Sequence, residues 1–335
     1  MKLTYKKNAS CLEILENSYG GAFPSALTLE APPNISIKIR EESFIQFLFK
    51  CLGILRGFRV MYCHSLRLMS EFAVSASNTG GFKNKYLIST LSHIAAIFIY
   101  LRLFGGQFEK PHDYEYGRTS PFTKNRIYLI SKNIYRENKD VYKTISHENI
   151  HILQCHNGDF DFENRLFERQ RAKQYCRKYL RSDIKSDGYL EYLFEKVEVE
   201  ARVHELVSAF YIETQFFPVT REELLVCLFY SNDVLEHLHL TLGKYHPKSK
   251  TILSLLNDIS DKAIAYSISS PIKTSTDATV DFSVIFNSIN NTDQLFDFIK
   301  FELPRYFCNV LNLYGARSIS LKLQNEIIKE REILG

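Results

Sequence analysis

Val141 to His156 reads VYKTISHENIHILQCH, and within it His147, Glu148 and His151 stand in the order H-E-x-x-H. On a helix each residue advances about 100° and rises about 1.5 Å. His147 and His151 then lie one turn apart and roughly 40° apart around the axis, so both imidazoles can reach one metal ion from the same side. Glu148 falls roughly 60° beyond His151, at the edge of that stripe. A carboxylate there can take a proton from a water held at the metal without being a ligand itself. Val141, Ile145, Ile150, Ile152 and Leu153 cover most of the remaining girth. The helix is thus apolar with one polar stripe of His147, His151, Glu148, Gln154 and Cys155. Buried polar groups on one stripe must be satisfied by something, and a metal with its water would do so.

Composition sets the frame. The chain has 335 residues, 45% of them hydrophobic and 24% charged, as in an ordinary globular protein. The 25 Phe and 20 Tyr can fill a sizeable core. A net charge of +4 is too mild to argue for nucleic acid. Seven scattered cysteines, none in C-x-x-C, read as reduced thiols rather than a disulfide framework or zinc ribbon. The first residues, MKLTYKKNASCLEILENSYG, have no apolar core of signal-peptide length. The expected location is therefore cytoplasmic, with export lacking a cleavable signal as an alternative. Tyr86 to Phe104, YLISTLSHIAAIFIYLRLF, is strongly apolar but carries His93 and Arg102. A buried core helix is the expectation there, with a membrane anchor as the alternative reading.

Along the chain, Asn34 to Ile39 alternates like a short strand, and 41–76 has helical spacing. Arg126 to Ile130, RIYLI, reads as a strand, either purely structural or an edge able to pair with an extended peptide. Gln170 to Leu180 is a basic helix, and Leu190 to Phe216 one long helix that Pro218 ends. Helices are expected at 221–245, 249–268, 293–313 and 318–334, and a strand at 280–286. The three regions are 1–125, mostly helical; 126–216, the core with the motif; and 217–335, mostly helical, or all one continuous domain.

A catalytic zinc usually takes three protein ligands and leaves one position open. The third must come from elsewhere, and the 190–216 helix offers Glu195, Glu198, Glu200 and His204. Cys155 lies about 12 Å along the axis from His147, too far to share the ion with both histidines. His156 reads as an exposed helix-end residue, and His237 and His239 diverge on their helix. Gln154 lies about 20° from His147 and can either orient a ligand or cap a loop carbonyl.

H-E-x-x-H followed by a helical E-x-E-A at Glu198 to Ala201 resembles the gluzincin-type zinc metallopeptidases. The resemblance covers about residues 126–210. It implies His147, His151 and Glu198 as zinc ligands and Glu148 as general base. In membrane-associated members the second motif reads E-x-x-A-D, and here Arg202 stands at the position of that Asp. The implied architecture is α+β, mostly α: a zincin-like core with a short sheet and an active-site helix. The implied activity is zinc-dependent hydrolysis of a peptide or protein. The alternatives are a zinc-binding interaction protein without catalysis, a membrane-embedded protease and the protease domain of an exported effector or toxin.

Overall fold

The apolar spacing of the sequence is realised mainly as helices. A computed structural model of the chain describes residues 6–30, 33–41, 115–119, 125–137, 140–180, 188–221, 277–289 and 292–334, with isolated positions in 66–97 and 223–227. Its elements are four short strands, β1 (Asn8–Ser10), β2 (Ser36–Glu41), β3 (Gly117–Thr119) and β4 (Arg126–Leu129), among helices. The helices are α1 (Cys11–Ser18), α2 (Ser131–Glu137), α3 (Val141–Asn157), α4 (Phe162–Tyr179), α5 (Gly188–Leu193), α6 (Lys196–Thr214), α7 (Asp277–Ser288), α8 (Thr292–Asp297), α9 (Leu303–Leu313) and α10 (Arg317–Leu334). A π-helix, Phe298–Glu302, joins α8 to α9. The described architecture is α+β and mostly α.

The chain divides into one unit of Met1–Ile39 with Asp140–Gly335 and another of Arg40–Lys139. In the first, β1 pairs antiparallel with β2 in the register Ala9↔Ile37. Ser10 then caps α1: its hydroxyl accepts from the Glu13 amide, and Glu13 reaches back to the Ser10 amide. Helix α6 runs through this unit, packed against α3, α7 and α9, with α1 against α3 and α10 against α9. Tyr19, Phe210, Phe282, Phe286, Phe307 and Tyr314 are fully buried and fill the space between these helices. In the second unit β3 pairs antiparallel with β4 in the register Arg118↔Tyr128. Ile127, Tyr128 and Leu129 are all buried, on both faces of the strand, which fits a structural strand.

Three expectations are corrected. Residues 280–286 form a helix, not a strand. Their β-branched and aromatic content suits a strand, but Ala278, Phe282, Ile285, Phe286 and Ile289 are buried, a spacing of three and four that packing selects. The expected helix 190–216 is two helices. At Glu195 the backbone turns extended, with φ −63° and ψ 131°, between the helix Gly188–Leu193 and the helix Lys196–Thr214. Within 86–97 the described positions are helical, but Tyr86, Leu87, Leu91, Ile94 and Ile97 are exposed rather than core. No helix among the described residues is long and apolar enough to cross a membrane. Cys11, Cys227 and Cys308 are buried free thiols. Most of the expected helix at 41–76, all of that at 249–268 and most of that at 221–245, with His237 and His239, lie outside the described residues.

Candidate metal centre

Helix α3 starts and stops where its sequence dictates. The Asp140 carboxylate accepts from the Tyr142 and Lys143 amides, satisfying orphan donors of the first turn. Gly158 ends it with φ 86°, a left-handed conformation that costs glycine little. Between these caps Glu148, His151 and Gln154 are buried along with the apolar residues. Against this face lies α6, in which all of Val197 to His204 is buried. The fully buried Ala201 leaves room beside Glu198.

The two helices bring His147, His151 and Glu198 together, with one ligand atom of each within 4.8 Å of the others. The histidine Nε2 atoms are 3.1 Å apart. Glu198 Oε2 is 3.6 Å from Nε2 of His147, and Oε1 is 3.6 Å from Nε2 of His151. Tetrahedral zinc, with bonds of about 2.0–2.2 Å, sets neighbouring donor atoms roughly 3.4 Å apart. The 3.1 Å separation and the two 3.6 Å separations, each to a different Glu198 oxygen, lie around that spacing, so the donor types and separations are compatible with a divalent metal ion. Glu148 is buried one residue along α3, and its charge is felt by His151.

Each donor has a second partner behind it. Nδ1 of His147 lies 2.5 Å from Oε1 of Glu205. Nδ1 of His151 lies 2.8 Å from Oε1 of Gln154. Glu198 Oε2 accepts from the Arg202 guanidinium at 3.2 Å, and Arg202 also donates to Asp281 of α7 at 2.8 Å. Tyr189 donates to the other Asp281 oxygen, and the Arg202 guanidinium sits 5.2 Å from the Tyr192 ring centroid.

The charges are strongly coupled. Burial would push His147 down, but Glu205 and Glu198 outweigh it and lift its pKa to about 10. Burial holds His151 below the ordinary imidazole value, with the Glu198 charge opposing. Burial works against ionised Glu198 too, yet His151, His147 and Arg202 together hold its carboxyl well below the usual range.

The rival third ligands have other work. Burial lifts the Glu200 carboxyl to about 7, and it accepts from Gln154 and Asn309. Glu195 is the residue before α6 and pairs with Arg169 at 3.5 Å. His204 is fully buried, 2.8 Å from the Ser146 hydroxyl and in contact with the Tyr314 and Tyr19 hydroxyls. Cys155 stays outside the cluster and His156 is exposed. Gln154 meets both kinds of partner: its Oε1 lies by Nδ1 of His151, and its Nε2 donates to the Val197 carbonyl of α6. Sequence reasoning did not assign Glu205, whose one signal is its place two turns beyond Glu198. Asp281 and Asn309 left no signal, being 79 and 109 residues from the α6 side chains they meet.

Comparison of the chain with protein-family models, with curated proteins and with solved structures finds no match.

Proposed function

We propose that the chain is a zinc-dependent metallopeptidase of gluzincin type, with His147, His151 and Glu198 as ligands and Glu148 as general base. One observation carries this reading: three lone-pair donors converge on one point while the far end of each imidazole is already engaged by an acceptor. Gln154 Nε2 donates to the Val197 carbonyl at 3.1 Å and to Glu200 Oε2 at 2.7 Å. Its Oε1 must therefore face His151, and Nδ1 of His151 must carry the hydrogen. Glu205, an acceptor, asks the same of His147. Both Nε2 lone pairs then point at Glu198, an arrangement that only a positive centre relieves. A proton on His147 does so in part, and Glu198 joins the Glu205 charge in lifting its pKa. A divalent metal ion would serve all three donors at once.

Bound zinc supplies the Lewis acidity that polarises a scissile carbonyl and acidifies a water. The chain's own residues do the rest. Glu205 and Gln154 hold the two imidazoles with Nε2 inward. Arg202 engages Glu198 and offsets part of its charge. Glu148 accepts the proton of the attacking water and delivers it to the leaving amine. The substrate is a peptide or protein.

Metal analysis of the purified chain should find about one zinc per molecule, and His147→Ala should lose it. Glu148→Gln should keep the zinc and the fold while lowering hydrolysis of a peptide library by roughly 10²–10⁴-fold. Full activity in Glu148→Gln would overturn the mechanism. Zinc without any hydrolysis in the wild type would leave a metal-binding protein, not an enzyme.

A further inference from the structure

We infer that Glu200 is a positioning residue: through Gln154 it holds His151 in the tautomer whose Nε2 lone pair faces the other two metal donors. The inference rests on the metal-centre reading above and adds a residue that touches neither metal nor substrate.

The argument is a count of donors and acceptors. A glutamine amide offers two N–H donors on one end and an acceptor oxygen on the other. Both Gln154 donors are used, one by the Val197 carbonyl at 3.1 Å and one by Glu200 Oε2 at 2.7 Å. Flipping the amide would set its oxygen against that carbonyl and that carboxylate together. Two acceptor–acceptor contacts in a buried site are costly. Gln154 and Glu200 are both 0% exposed, so no solvent exposure softens that cost.

Each Glu200 oxygen accepts an amide N–H, Oε2 from Gln154 and Oε1 from Asn309. Asn309 of α9 donates to Oε1 at 2.8 Å, and Lys196 lies 3.7 Å from the same oxygen. Lys196 is anchored by Asp159 at 2.8 Å. With Gln154 locked, its Oε1 at 2.8 Å leaves His151 Nδ1 no role but donor. The hydrogen is kept off Nε2, which stays free to bind metal. His147 needs no such relay, because Glu205 is an acceptor whichever way it turns.

Glu200→Gln tests this, since an amide at 200 can donate towards residue 154 and so permit the flipped Gln154. Histidine ¹⁵N NMR on the metal-free full-length chain distinguishes protonated from unprotonated ring nitrogens, with His151→Asn assigning the signals. The wild type should show His151 as the single Nδ1–H form. Glu200→Gln should add an Nε2–H population and weaken zinc binding about 10- to 100-fold, read by competition with a chelating dye. Asn309→Ala, which leaves the Gln154–Glu200 bond in place, should keep the Nδ1–H form.

Wild-type His151 with its hydrogen on Nε2 would overturn the inference, whether or not any variant folds. So would an unchanged tautomer and a zinc affinity within twofold in Glu200→Gln. A wild type that shows the Nδ1–H form and the Glu200-dependent shift yet takes up no zinc would support the relay and refute the metal reading instead.

Discussion

His147 shows how one residue's surroundings decide its chemistry. It shares a turn with His151, but its Nδ1 meets the Glu205 carboxylate where His151 meets an amide. The carboxylate raises the basicity of the ring and fixes its orientation. Glu205→Gln should therefore weaken zinc binding by about 10- to 100-fold with little loss of helix content, as chelator competition and circular dichroism would report. Arg202 acts on the third donor. It is 4% exposed and bridges Glu198 to Asp281. Removing one partner of a buried ionic cluster strands the other charges. Arg202→Met should cost about 3–5 kcal/mol in the metal-free protein, measured by urea unfolding.

At the scale of elements, the centre depends on how α3 and α6 are held against each other. His204 joins Ser146 of α3, Tyr314 beyond α9 and Tyr19 beyond α1 in one buried cluster. Burial pushes its pKa down to about 3, with the charge of His147 adding to the effect. A histidine depressed in the folded state binds its proton more readily when unfolded, near pH 6.5. Its contribution is therefore present above about pH 6.5 and is lost as the pH falls towards 3. Depressed Glu198 acts in the same sense and raised Glu200 in the opposite one. The stability of the wild type should thus drop more steeply between pH 7 and about 4 than that of His204→Leu, compared by urea titrations at each pH. Equal slopes would mean that His204 is not buried in its neutral form.

For the whole molecule, the donors all belong to the unit of Met1–Ile39 with Asp140–Gly335. Metal binding is then linked to the folding of that unit, because an ion that binds only the folded state stabilises it by mass action. At about a thousandfold excess over its dissociation constant the gain is roughly 4 kcal/mol. Zinc should raise the unfolding temperature and a chelator lower it, while His147→Ala should respond to neither. A chelator-insensitive wild type would argue against a metal integral to this unit.

Sequence alone determined α3. Its caps, its apolar girth and the one-turn spacing of His147 and His151 are local, and helical geometry turns that spacing into a shared face. The mostly helical α+β class was legible for the same reason, and the motif resemblance named the residue that completes the triad. The residues alone left Glu195, Glu198, Glu200 and His204 open. Every residue from Val197 to His204 is buried, so no amphipathic pattern told which face of α6 meets the histidines. The tertiary structure decided it through the break at Glu195 and the His204–Ser146 contact. These set the rotation of α6 so that Glu198 faces the two histidines of α3 while Glu200 turns to Gln154 and Asn309.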